Sequence, residues 1–473
     1  MQVLRRTRRE RSRPAASKAL STRQRGVLFA TATATALTFF DQTSTTAALH
    51  NIGRDLHASI SELQWIMGSY LLTLAAFVPP AGRLADAFGR RRLFLVGVAL
   101  FGIASLACAA APTTGLLIAL RALQGVGGAL VVPLALANVA AAVPEERGGW
   151  AIGVLATGGS TFLSLGPLLG GALVDTAGWR WVFAVGAPIA ALSLWAGGRW
   201  MEESRAPTRP ALDGAGLLLL AAGLAALVIG LLQMNTWGAT AAPTLAALAC
   251  GIALLAAFAA VEHRAPEPII AIRLLRIPSV GAFLIALLAG QFAVTALTVE
   301  LMLYLQRTLG YGAFVAGMFF LPTVIATPLL SPTAGRLADR GRGRLLVSAG
   351  LLAAAASLVW IALFAGDRSA WLLLPAFFLF GFSRPFFFTP SSRGPVTALP
   401  HGERGLAAAL VTEAYQLGAV LGIAVAGTLV AARGGVAGFQ LAIAVAGGLC
   451  LLAALATWML LIPEGSAPAG EPR

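Results

Sequence analysis

Long apolar stretches separated by short polar breaks run through almost the whole chain. A bilayer core about 30 Å thick needs about 20 apolar residues per helix. Stretches of that kind fall at 27–49, 63–82, 93–111, 116–138, 150–172 and 181–200. Two more lie at 214–233 and 241–261, and six follow at 280–303, 313–334, 345–365, 370–392, 406–431 and 437–462. The pattern predicts an all-α membrane protein with fourteen transmembrane helices.

Composition supports this and excludes rivals. Of 473 residues 58% are hydrophobic and 11% charged, with a mean hydropathy of +0.81; a soluble domain carries roughly 25% charged residues. The net charge of +14 does not signal nucleic-acid binding, because the basic residues sit in the breaks between apolar stretches rather than on one soluble domain. Their placement sets an orientation instead. With the N-terminus inside, 27 Lys and Arg fall on the cytoplasmic side and five outside (Arg54, Arg180, Arg307, Arg368, Arg433), with Arg121 and Arg384 within helices. Both termini are therefore expected in the cytoplasm, with residues 1–26 a solvated basic tail attracted to lipid. Cys108, Cys250 and Cys450 lie in apolar stretches, and the four histidines are scattered. Neither set has metal-ligand spacing, so no metal or cofactor is expected.

An internal repeat organises the chain. Pro80-Ala-Gly82-Arg83-Leu-Ala-Asp86 with Gly89-Arg90-Arg-Arg92 returns 253 residues later as Thr333-Ala-Gly335-Arg336-Leu-Ala-Asp339 with Arg340-Gly-Arg342-Gly-Arg344. Val143-Pro-Glu-Glu-Arg147-Gly148 is echoed by Leu399-Pro-His-Gly-Glu-Arg404-Gly405. Each copy follows the second or fourth helix of its half. The expected units are a basic tail (1–26), a six-helix bundle (27–200), a linker with two extra helices (201–279), a second six-helix bundle (280–462) and a short tail (463–473). Duplicated bundles around a central site describe a secondary transporter.

The stretch Gly82 to Arg92 resembles the signature loop between helices two and three of the major facilitator superfamily. Fourteen helices resemble its drug:proton antiporter branch. Asp41-Gln-Thr-Ser-Thr-Thr-Ala-Ala-Leu49 is similar to that branch's first-helix motif, and Arg121-Ala-Leu-Gln124-Gly-Val-Gly-Gly128-Ala129 to its fourth-helix motif. Gly166-Pro167-Leu-Leu-Gly170-Gly171 is similar to its fifth-helix antiporter motif, followed by Trp179-Arg-Trp-Val-Phe183; Leu212-Asp-Gly214 and Tyr304-Leu-Gln306 are further matches. The resemblance implies a two-bundle fold and proton-coupled export of small amphiphilic compounds by alternating access from a bacterial inner membrane.

Several residues are candidates for that work. Asp41 lies among Thr38, Ser44 and Thr45 in helix one; a carboxylate in the bilayer must face protein or water, and its proton affinity responds to its neighbours. Arg121 lies at a comparable depth, roughly 7 Å from the outer end of helix four against roughly 12 Å for Asp41, and is expected to tune it. Gln124 is expected to line the substrate cavity. Gly82, Arg83, Asp86, Gly89 and Arg90, with Gly335, Arg336 and Asp339, are expected as gating loops, Asp86 capping the following helix and pairing with arginines. Gly166, Pro167, Gly170 and Gly171 combine a kink with close packing, and the resemblance implies a seal between the halves. Arg384 and Glu413 lie at matching depth and are expected to pair or to compete for substrate and proton, Glu413 contributing to coupling; Arg384 facing the cavity would instead attract an anionic or zwitterionic substrate. Glu300 stands between a cavity role and an interfacial one near Arg307.

No Gly-x-x-x-x-Gly-Lys-Ser/Thr loop or Gly-x-Ser-x-Gly elbow occurs, which excludes ATP-driven pumping and argues against an enzyme. The expected partners are a small amphiphile, protons and lipid, with no nucleic acid and a monomeric chain. A dedicated exporter of one native metabolite and a transporter-like sensor remain alternatives.

Overall fold

The computed structural model describes residues 20–204, 213–265, 272–366, 370–397, 399 and 404–461. Almost all of them are helical, as hydrocarbon demands: with no water available, each peptide group must find its partner within its own segment. Helix α1 (Thr22–Asp55) opens with a reciprocal cap in which Ser21 accepts from the Gln24 amide and the Gln24 side chain accepts from Ser21. Ser59 and Glu62 start α2 (Ile60–Phe88) in the same way. Then come α3 (Arg90–Ala109), α4 (Thr114–Ala142), α5 (Glu145–Ala177) and α6 (Arg180–Trp200, interrupted at Val185). Helices α7 (Gly214–Trp237) and α8 (Ala242–Arg264) form a hairpin.

In the C-terminal half, α9 (Pro278–Leu303) runs on through a wider turn at Tyr304–Thr308. Helix α10 comes in two pieces, Ala313–Met318 and Leu321–Leu337, followed by α11 (Gly343–Phe364), α12 (Leu374–Thr397), α13 (Arg404–Arg433) and α14 (Gly435–Leu460). Each expected apolar stretch overlies one of these fourteen helices. Twelve are individually long and apolar enough to cross a membrane, and α10 qualifies as a pair, Ala313–Thr327 with Leu329–Leu337, bent by 42°. Helix α1, although 34 residues long, falls outside that set. The reason is its eight threonines, Gln42 and Asp41, most of which it turns inward: Thr31, Thr38 and Thr45 are buried and donate to carbonyls one turn back.

The halves repeat one packing scheme. Helix α1 lies along α5 and α6, α2 along α4, and α3 along α4 and α6; in the second half α9 lies along α13 and α14, α10 along α12, and α11 along α12 and α14. The halves meet along two seams, α2 with α13 and α5 with α10. Helix α7 packs on both members of the first seam, with α8 behind it. Its adjacent carbonyls serve different halves: Leu232 accepts from Ser61 at 3.5 Å and Leu231 from Thr428 at 2.8 Å.

Candidate functional site

The depth match between Asp41 and Arg121 becomes a contact. Arg121 Nη1 lies 2.5 Å from Asp41 Oδ2, with both side chains buried. Gln124 joins them: its Nε2 donates to Asp41 Oδ1 at 3.0 Å and its Oε1 accepts from Arg121 Nη1 at 2.6 Å. Arg121 Nε donates to the Ile66 carbonyl, and the Tyr70 ring lies 4.3 Å from the guanidinium carbon. Gln124 also donates to Ser105, which donates to the Phe183 carbonyl. Neither charge is affordable alone at this depth; together, with extra donors, they are held in one geometry.

This places Gln124 differently from expectation. Three residues after Arg121 on α4, it shares Arg121's face, and that face points into the N-terminal bundle, so Gln124 belongs to the ion-pair network and not to the cavity. Tyr70, Ser105 and Phe183 carried no signal of their own in the sequence beyond the position of Phe183 in the Trp179–Phe183 motif.

A cavity lies between the halves. Gln42, Thr43, Thr46, Met67, Leu71, Leu163, Ser164 and Pro167 line it from the first half; Gln291, Val294, Thr295, Leu297, Thr298, Val299, Phe320, Thr323, Phe377, Phe380 and Arg384 line it from the second. Arg384 is therefore part of the wall of this cavity. Arg384 and Gln291 both lie near the Tyr415 hydroxyl. Glu413 does not line the cavity, and neither of its carboxylate oxygens has a hydrogen-bond partner among the described residues. The expected Arg384–Glu413 pair is not formed: Arg384 on α12 lines the cavity while Glu413 on α13 is buried outside that lining. Glu300 is also buried outside the cavity lining, near Arg307, with Oε1 unpartnered.

Away from the arginine-rich end, named contacts tie the halves together. Asp175 accepts from the amides of Ala313 and Phe314, at 3.2 and 2.8 Å, and Gln306 donates to the Ala47 carbonyl at 3.1 Å. At Gly171 a β-carbon would lie 2.6 Å from the Ala313 carbonyl carbon, and at Gly317 one would lie 2.8 Å from Leu168 Cα, so only glycine permits this approach of α5 and α10. Gly166 and Gly170 face the other way, against Thr43 and Ser44 of α1. The antiporter-like motif thus packs one helix against both its own bundle and the opposite one, and α5 continues through Pro167.

The profile of the Major Facilitator Superfamily matches residues 31–393 and 323–473. The chain belongs to the Major Facilitator Superfamily. It is similar to the puromycin resistance protein pur8 of Streptomyces alboniger (35% identical; 90% of this chain, 89% of the relative). It is also similar to the multidrug resistance protein Stp of Mycobacterium tuberculosis (33%; 86% and 75%) and to the tetracenomycin C resistance and export protein of Streptomyces glaucescens (34%; 86% and 76%). Among solved structures it shares the fold of a POT family transporter, with a TM-score of 0.67 at 16% identity over 91% of this chain and 94% of that one. The nucleoside transporter NupG gives 0.63 at 13% identity over 93% and 100%. The chain is a multi-pass membrane transporter of the drug-efflux branch, not an enzyme.

The superfamily's signature loop shows how the arginine-rich end is held. Asp86 pairs with Arg90 one turn on, Oδ1 to Nη2 at 2.8 Å, within its own half. It does not cap α3, as expected of it; Glu203 does, accepting from the amides of Arg91 and Arg92 at 3.1 Å each. Gly89 adopts φ +111°, and a β-carbon there would lie 2.6 Å from the Glu203 carboxyl. Arg91 closes the contact onto the Gly198 carbonyl, and Arg23 pairs with Glu202. Glu203 was missed because it lies far along the chain; an acid just past the end of α6 was the available signal. Gly82 has open space around it. Arg83 has a partner, and Arg336 donates to the Pro332 carbonyl. Gly335 lies beside Arg393 and Thr389, while the Asp339 side chain lies outside the described residues.

Proposed function

We propose that the chain is a proton-coupled antiporter that exports small amphiphilic compounds from a bacterial cytoplasm by alternating access, acting as a monomer with both termini inside. The observation that carries this is the Asp41–Arg121–Gln124 network, whose Asp41 immediately precedes Gln42 and Thr43 of the cavity wall on α1. A proton reaching Asp41 removes the charge that holds Arg121 and Gln124, so proton occupancy and the packing of α1 on α4 change together. Glu413, buried without donors, serves as a second proton site in the other half. Arg384 meets the substrate, and the Asp86–Arg90 turn with its repeat around Gly335, Arg336 and Asp339 steadies the cytoplasmic end. With the arginine-rich end cytoplasmic, the Gly171–Ala313 approach and the Asp175 contacts close the outer end. The resistance and export names of the relatives support outward transport of a toxic compound.

The test is purified protein in proteoliposomes holding a pH-sensitive dye, challenged with compounds to which expression confers resistance in an efflux-deficient host. Substrate should drive proton movement, and Asp41→Asn should abolish both that movement and resistance. Transport of substrate without proton flux overturns the reading. The single compounds in two relatives' names favour a dedicated exporter as a second reading, for which resistance confined to one compound class is the signature.

A further inference from the structure

The chemistry of the cavity wall narrows the substrate, resting on the reading of this cavity as the transport site. Its described lining contains one charged residue, Arg384, and no carboxylate. The buried acids nearby are unavailable: Asp41 is engaged by Arg121 and Gln124, and Glu300 and Glu413 do not reach the wall. The rest of the polar lining consists of neutral amides and hydroxyls, which accept as readily as they donate.

Charge and aromatic surface also share a side. Phe320, Phe377 and Phe380 line the cavity from α10 and α12, the half that supplies Arg384. Arg384 is 6% exposed with the Tyr415 hydroxyl near it, so burial already restricts its side chain before anything binds. A guanidinium fixed in a low-dielectric cleft attracts an anion strongly and repels a cation, and it matches a carboxylate or phenolate with paired donors. We propose that Arg384 is the substrate's anion-binding residue, and that the cavity takes planar aromatic compounds carrying a carboxylate or phenolate in preference to the cationic amphiphiles usual for a multidrug pump.

The probes are fluorescein, an anionic xanthene, and rhodamine 123, a cationic xanthene of the same ring system. Equilibrium binding to purified protein is read by fluorescence anisotropy, which needs no proton gradient. Wild type should bind fluorescein about tenfold or more tighter than rhodamine 123, a margin of the size expected for one charge-assisted contact. Arg384→Gln should lose about tenfold for fluorescein with little change for rhodamine 123, Arg384→Lys, which keeps the charge without the paired donors, should keep part of the preference, and Arg384→Glu should reverse it. Because the lysine variant retains the charge, its binding separates a lost anion contact from a misfolded chain. Tighter rhodamine 123 binding by wild type, no fluorescein binding, or unaltered fluorescein affinity in Arg384→Gln overturns the inference. A chain that ranks the probes as expected yet moves no protons sinks the antiport reading and leaves this one standing.

Discussion

Asp41 and Glu413 are both buried acids deep in the helical body, one in each half, and their surroundings are opposite. Asp41 is bonded by a guanidinium and a carboxamide on a neighbouring helix. Glu413 has no donor to either oxygen among the described residues. The C-terminal half does contain a buried arginine, Arg384, but spends it on the cavity wall. One half therefore closes its charges on each other, and the other leaves its acid and its base apart. Burial alone thus does not define what a membrane carboxylate does; the donors it meets decide whether its loss breaks the fold or only the function.

The largest test breaks the closed side. Asp41→Asn leaves Arg121 buried without a counter-charge, which should cost about 3–5 kcal/mol. Thermal unfolding in detergent should show a clear drop, alongside complete loss of export. Adding Arg121→Gln sharpens the point: the double variant should recover most of the stability, because no lone charge remains, and still export nothing. If the double variant falls as far as the single one, the network is not the pairwise unit described.

Glu413→Gln probes the open side. With no donors to lose, the fold should change by less than about 1 kcal/mol, while proton-coupled export falls several-fold. A large stability loss would mean that a partner holds Glu413 after all. The smallest effect belongs to the exposed pair at the end of α1. Asp55 accepts from Trp179 Nε1 at 2.9 Å and lies 2.5 Å from Arg180, and these two contacts, the Trp179 bond first, hold its carboxyl below its ordinary 3.8. A depressed value contributes stability above 3.8 that disappears as pH falls through the lowered value. Wild type should therefore be slightly more stable than Asp55→Asn at neutral pH, and the two should converge in acid. Being half exposed, the pair is screened and its contribution is small.

Much of this was legible in the residue pattern. Apolar runs placed all fourteen helices, because hydrocarbon allows few alternatives, and the Gly82–Arg92 repeat exposed the duplication. Counting residues from a helix end gave depth, which is why Asp41 and Arg121 were matched. The same count could not give direction around the helix axis, and that is where Gln124 and the Arg384–Glu413 pair departed from expectation: equal depth puts two side chains in one plane, not on facing surfaces. The Glu203 cap on α3 was hidden for another reason. It joins residues more than a hundred positions apart, and no local spacing announces it.

Helix α7 is bonded to both halves on one side of the molecule only, through the neighbouring carbonyls of Leu231 and Leu232. The opposite side, where α5 meets α10, has no bridging helix among the described residues; it is closed by direct contacts, the Asp175 carboxylate on the amides of Ala313 and Phe314 and the close approach at Gly171 and Gly317. The inserted hairpin therefore makes the two edges unequal: the α2–α13 edge carries an extra helix bonded to both halves, and the α5–α10 edge is closed by the two halves alone.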